Sequence, residues 1–283
     1  MVHVAKRLSA LLMALLLAFI LLTAQTERPG QVPQVPAELA WITLFANEVR
    51  INPQGHWEAA LKQGIVMIYV PAGEFTMGSP RSEVGREPDE GPVHRVFTKG
   101  IWIGKYEVTR ALWHAVMGGD AIEPSERDLP QGDVSYRDIQ AFLRALNLGS
   151  GLDYRLPTEA EWEKCCRGGG PSSQYGPIDE IAWNIANSGG KIHPVGTKRP
   201  NGFGLFDMLG NIWEWCSDWY SSGYYGTSPL LNPTGPSQGK RRVCRGGGFA
   251  HGGGYLRSAH RNSQEPAKSR PYLGFRLVLD SPL

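Results

Sequence analysis

The chain opens on an unbroken apolar run, LSALLMALLLAFILLTA (Leu8 to Ala24), behind the basic pair Lys6 and Arg7. A basic flank, an apolar stretch and the small residues Thr23 and Ala24 at its end predict a signal peptide over residues 1–25. The alternative is an uncleaved signal anchor, since a run of roughly 17 residues just suffices for a tilted span. Either way the protein is expected to be exported: secreted, periplasmic or membrane-anchored. Residues 26–60 begin with TERPGQVPQVP, a polar, proline-rich phrase that reads as a linker.

From residue 61 the periodicity belongs to a folded domain, 61–283. GIVMIYVPAGEFTMGS (Gly64 to Ser79) reads as two short strands about a Pro-Ala-Gly turn, a hairpin. FTKGIWIGKYEVT returns to strand. Thr109 is placed to cap a short helix, RALWHAVM, that Gly118 ends. DVSYRDIQAFLRALNLGSG carries the clearest helical signal: Ser135 at the N-cap, Asp138 at N3, and Ile139, Phe142, Leu143 and Leu146 on one face. RLPTEAEWEKCCRGGG repeats that grammar, with Thr158 and Glu161 as a capping box, Trp162, Cys165 and Cys166 facing inward, and glycines as the stop. After Gly168 no stretch has helical periodicity, and turns and short strands are expected.

Composition supports this loop-rich picture. Gly 35 and Pro 21 make up about a fifth of the 283 residues, which favours turns over long helices. A net charge of +2 gives no electrostatic case for nucleic acid. The four cysteines do not form a C-x-x-C. Cys165 and Cys166 are neighbours on one helical phrase and are not expected to bond to each other. Cys216 and Cys244 could pair in an exported protein, and spacing alone leaves that open.

Read in order, MIYVPAGEFTMGS, GKYEVT, YRLPTEAEWE, NSGGKIHPVGTKRPNGFGLFDMLGNIWEWCSDWY, RVCRGGGF, LRSAHRN and LGFRLV resemble the formylglycine-generating enzyme (sulfatase-modifying factor) family. The resemblance implies an α+β variant of the C-type-lectin fold: little regular structure, two helices, a small antiparallel sheet and many loops. It also implies a chemistry, oxidation of a client cysteine by dioxygen at a copper(I) ion held by two thiolates. Copper(I) is soft and suits a thiolate pair. Where family enzymes place the first thiol, two residues after the aromatic Phe249, this chain has His251. The segment from there to LRSA contains no cysteine, so copper and formylglycine generation are not expected. A diverged oxidase on the same scaffold is the enzymatic alternative.

A second metal is implied by DMLGNIWEW, where family members bind calcium through a side-chain oxygen, two backbone carbonyls and a Glu. Those positions are Asp207, Gly210, Ile212 and Glu214 here, and hard oxygen ligands from a tight turn suit Ca²⁺. The competing reading pairs Glu214 with one of the C-terminal arginines. A further family calcium position, near Asn184 and Ile185, stands beside a loop that is shortened in this chain. Arg155, Arg245, Arg257, Arg261 and Arg276 lie inside the matching phrases and are expected to brace loops through ion pairs and carbonyl contacts.

What remains of RRVCRGGGFAHGGGYLRSAHRNSQEP is a frame around small and aromatic residues. It also resembles the variable proteins of diversity-generating retroelements, in which a C-terminal segment (about 242–277 here) is rewritten at asparagine codons. The residues expected to form a ligand-binding face are Phe249, Ala250, His251, Gly252, Gly254, Tyr255, His260, Asn262, Ser263, Gln264 and Tyr272. Rigid aromatics beside small polar neighbours suit adaptable contact. The expected partner is a protein or cell-surface ligand.

Overall fold

The computed structural model describes residues 34–281. The predicted signal peptide or anchor lies outside the described residues. Among the described residues, no helix is long and apolar enough to cross a membrane.

The linker expectation needs correcting. Residues from Val35 onward belong to the body: a 3₁₀ helix spans Ala37–Leu44, and strands β1 (Ala46–Ile51) and β2 (Trp57–Leu61) follow it. Leu39 and Ile42 are fully buried, which explains why this proline-flanked segment folds onto the domain. Composition was dominated by the prolines ahead of Val35 and hid the apolar AELAWITLF behind them.

A six-stranded antiparallel sheet runs through the body in the order β1, β2, β3 (Val66–Val70), β6 (Ile101–Gly104), β12 (Val278–Asp280) and β7 (Tyr154–Arg155). Successive side chains of its central strands point to opposite faces. Met67, Trp102 and Leu279 join one core, whereas Ile68, Ile101, Ile103 and Val278 join another. Burial on both faces is why VMIYV and IWIG read as continuous apolar runs rather than alternating ones. The hairpin expected over 64–79 does not form. Strand β4 (Gly73–Met77) leaves the sheet and pairs with β5 (His94–Thr98) in a separate ribbon.

The three helices form where their caps predict. In α1 (Arg110–Met117) Thr109 Oγ1 accepts from the Leu112 amide, and Gly118 ends the helix at φ 73°. Reciprocal capping boxes open α2 (Tyr136–Ser150) and α3 (Glu159–Arg167). Helix α2 presents Ile139, Phe142, Leu143 and Leu146 to one core, and α3 presents Trp162, Cys165 and Cys166 to the other. The count exceeds the two helices implied by the family resemblance, because the Thr109-capped turn persists for eight residues. Past α3 the further helical pieces among the described residues are the turn Ile178–Ile181 and the 3₁₀ turn Tyr224–Gly226. A second sheet, β10 (Asn262–Gln264), β9 (Arg242–Arg245), β8 (Trp213–Trp219) and β11 (Leu273–Gly274), carries the C-terminal segment.

All four cysteines are free and buried. Trp215 is the register partner of Cys244, so Cys216 and Cys244 point to opposite faces of the sheet. They lie in different cores, and this settles the open pairing question against a disulfide.

A candidate recognition surface on the C-terminal segment

The segment Phe249–Gln264 has little secondary structure of its own, and buried arginines fix its shape. Arg245, with no exposed surface, donates to Glu163 on α3 and to the carbonyls of Ser258 (2.8 Å), Ala259 (2.9 Å) and His260. Arg261 forks onto Glu159 at 2.7 and 2.8 Å and reaches the carbonyls of Asp89 and Ser221. Arg257 donates to Glu83 (2.6 Å), Glu90 (2.8 Å) and the carbonyls of Gly85 (2.6 Å) and Gly254 (2.9 Å). Arg155 forks onto Glu161 with two 2.7 Å bonds. These planar, charge-assisted forks do for irregular backbone what a ladder does for strands. The bracing role expected of the arginines is what the geometry shows.

The residues expected on one face divide into two patches. In the first, the rings of His251, Tyr255, His260 and Tyr272 gather about Trp213. Ring centroids lie 5.3 Å from Trp213 to His251, 5.2 Å from His251 to Tyr255 and 6.1 Å from His251 to Tyr272. Tyr255 is 47% exposed, Ala250 and Gly254 are exposed, and Phe249, His251, Gly252 and Tyr272 are half-buried. Burial pushes the His251 imidazole pKa down, favouring the neutral ring. In the second patch, Asn262, Ser263 and Gln264 form β10, and the first two border an open hollow of about 440 Å³ with Glu87, Asp89 and Tyr220.

His260 is not on the face and is corrected to a supporting residue. It is 4% exposed, with Nδ1 3.6 Å from the Glu90 carboxylate and its ring against Trp213 and Tyr255. Sequence reasoning also missed the two loops that extend the first patch. Arg257 ties Gly254 to Gly85, next to the 90% exposed Val84. The Ile185 amide donates to the His251 carbonyl at 3.1 Å, and Ile185 is 65% exposed. An isolated Val or Ile in a polar loop gives no periodic signal by which to find it.

His251 stands where the resemblance places the first thiol, and the four cysteines are packed in the cores. Burial raises all four thiol pKa values, with that of Cys166 pushed up to about 12. The calcium positions fit in part. Asp207, at φ 55°, accepts from the Gly196 amide through Oδ2, while its buried Oδ1 has no partner. Glu214, expected as a ligand, is instead spent on Arg276 (2.6 and 2.7 Å) and on the Trp162 indole N–H (2.7 Å). The competing reading, a pairing with a C-terminal arginine, describes it correctly. A third buried carboxylate, Glu107, accepts from Asn211 Nδ2 at 2.8 Å and from the Ile212 amide at 3.2 Å. Glu107, Asp207 and Glu214 therefore face one guanidinium, a surplus of negative charge that a cation beside Asp207 would relieve. Near Asn184 the side-chain amide donates to Asp179 and the Ala182 carbonyl, and its oxygen accepts from the Ala186 amide.

One buried carboxyl beneath the frame gives a pH signature. Burial, and then the charge of Glu159, pushes the Asp218 carboxyl up to about 7. A folded-state pKa above the unfolded value of about 3.9 contributes stability that is complete below it and lost as pH rises through 7. Asp207, raised to about 6 by burial, acts in the same direction. Asp218 Oδ2 accepts from the Glu159 amide and the Ser217 hydroxyl, and both bonds can be kept by an Asn oxygen. Asp218→Asn is therefore expected to be more stable than the parent at pH 8 by up to about 4 kcal/mol. The gain should vanish near pH 4 in urea titrations. A gain independent of pH would show that charge is not its cause.

The match to known proteins agrees with this geometry. Residues 54–281 match the sulfatase-modifying factor enzyme 1-like domain. The formylglycine-generating enzyme of Streptomyces coelicolor is 37% identical, over 76% of this chain and 90% of that one. Among solved structures, Treponema denticola variable protein 1 superposes with a TM-score of 0.69 at 28% identity, covering 77% of this chain and 95% of that one. PvdO from Pseudomonas aeruginosa gives 0.72 at 28% identity, covering 83% and 98%. The chain belongs to the sulfatase-modifying factor enzyme 1-like domain family and has its C-type-lectin-like fold.

Proposed function

We propose that this is an exported recognition protein that binds a protein or cell-surface ligand through its C-terminal face, without thiol oxidation. One observation carries the reading: the ring of His251, which stands where the family resemblance places the first thiol, packs edge-on against Trp213 and Tyr255. Around it the arginine forks hold the backbone rigid while the outward side chains remain small or aromatic, as an adaptable binding face requires. The alternative, a diverged oxidase, needs a redox centre that four separate buried thiols do not supply.

Likeness to a variable protein supports the retroelement version of this reading. Its test is genomic: the DNA beside the gene is expected to hold a reverse transcriptase and an imperfect repeat of the codons for residues 242–277, differing at adenines. Absence of the repeat would remove diversification and leave a fixed binding surface.

Calcium is proposed as a structural ion held by Asp207 with the carbonyls of Gly210 and Ile212, beside Glu214 rather than through its free charge. Ligands that bind only the folded state raise its melting temperature. Chelation is expected to lower Tm by about 4 °C or more, and Asp207→Ala to abolish the response. An unchanged Tm after chelation rules out the ion.

A further inference from the structure

The C-terminal end of α3 lies against a cavity that the recognition surface does not use. It encloses about 650 Å³, within the ~300–1,000 Å³ typical of small-molecule sites. Much of its wall is apolar, from Pro71, Phe75 and Phe203 to Val93, which is 41% exposed. Two cations also line it, Lys164 and Arg167, each only 8% exposed.

The charges at this cavity do not balance. Lys164 Nζ donates to the carbonyls of Pro71 (2.7 Å) and Gly73 (3.2 Å) and to Thr98 Oγ1 (3.0 Å). All three acceptors are neutral, and no carboxylate among the described residues lies within 4.0 Å of the ammonium. Arg167 shares Glu163 with Arg245, one carboxylate oxygen to each guanidinium. The remaining acids on the wall are committed elsewhere, Glu83 to Arg257 and Glu74 to Arg95. The negative end of α3 offsets roughly half a charge, less than the surplus. A buried cation without a counter-ion, beside an apolar hollow, is the complement of an anionic head on an apolar tail.

We propose that this cavity binds an amphipathic anion, an aliphatic carboxylate of medium chain length. The tail packs against Pro71, Phe75 and Phe203, and the carboxylate lies beside Lys164 and Arg167. Lys164 supplies charge here, and Arg167, which already donates to Glu163 and to the carbonyls of Gly78 and Pro171, has one N–H left for the carboxylate.

Calorimetric titration of the full chain with decanoate, decanol and decyltrimethylammonium, each below its micelle concentration, tests the proposal. Decanoate is expected to bind at least about tenfold more tightly than decanol, with no measurable binding of the cation. Lys164→Met should cost decanoate about tenfold and leave decanol within about twofold. Equal affinity for acid and alcohol, no binding of either, or an unchanged Lys164→Met variant would overturn it. Lys164 also anchors Pro71 and Gly73, so Val93→Glu, at an exposed position, gives a second reading if that variant does not fold. The added charge should weaken decanoate binding more than decanol binding, and equal effects would count against the site.

Discussion

Arg276→Met is expected to destabilise the fold by about 3–5 kcal/mol, the cost of breaking a buried ion pair on one side. The guanidinium has no exposed surface. It forks onto Glu214 and also donates to the carbonyls of Gly104 (2.9 Å) and Phe206 (3.0 Å). Its loss leaves Glu107, Asp207 and Glu214 buried without the guanidinium that faces them. Burial and the two neighbouring carboxylates already raise the Glu107 pKa well above the ordinary range. Adding Glu214→Gln should restore part of the loss, because Gln removes a charge yet can still accept the Trp162 indole N–H. A double variant no more stable than Arg276→Met would locate the cost in the two lost carbonyl contacts instead. Urea unfolding of the single and double variants measures the difference.

Arg245→Met should cost a similar ~3–5 kcal/mol, by a different route. Glu163 would retain Arg167, so its charge stays compensated, and the damage falls on the backbone of 258–260. Three consecutive carbonyls lose their donor in a segment with no ladder to replace it. Amide exchange at Ser258–Arg261 is expected to accelerate more than exchange in α2, which touches none of these groups. Uniform acceleration across the chain would show that Arg245 supports the whole fold rather than this frame.

Local signals were legible where short-range chemistry governs. Thr109, Ser135 and Thr158 marked their helices because a side-chain oxygen and an amide three residues on are fixed by sequence spacing alone. Long-range partners were not. VMIYV and GEFTM are separated by two residues, yet they join different sheets, a choice made by β2, β5 and β6 elsewhere in the chain. The arginines could be named as braces from the phrases they occupy. The acids of Arg245, Arg257 and Arg261, which are Glu83, Glu90, Glu159 and Glu163, lie 82–174 residues away, and nothing local distinguishes them from surface charges. His260 was misplaced for a related reason: it follows the exposed Tyr255 by five residues, but the Arg257 and Arg261 forks turn that stretch inward.

The account turns on whether His251 has replaced a catalytic thiol with a contact residue. The most direct measurement is to supply the full chain with copper(I), oxygen and a reductant, and to follow a cysteine-containing sulfatase peptide by mass spectrometry. No formylglycine above the protein-free control is expected. Thiol reagents should modify none of Cys165, Cys166, Cys216 and Cys244 until the protein unfolds. Repeated turnover of the peptide by the folded chain would contradict the account and restore an oxidase on this scaffold.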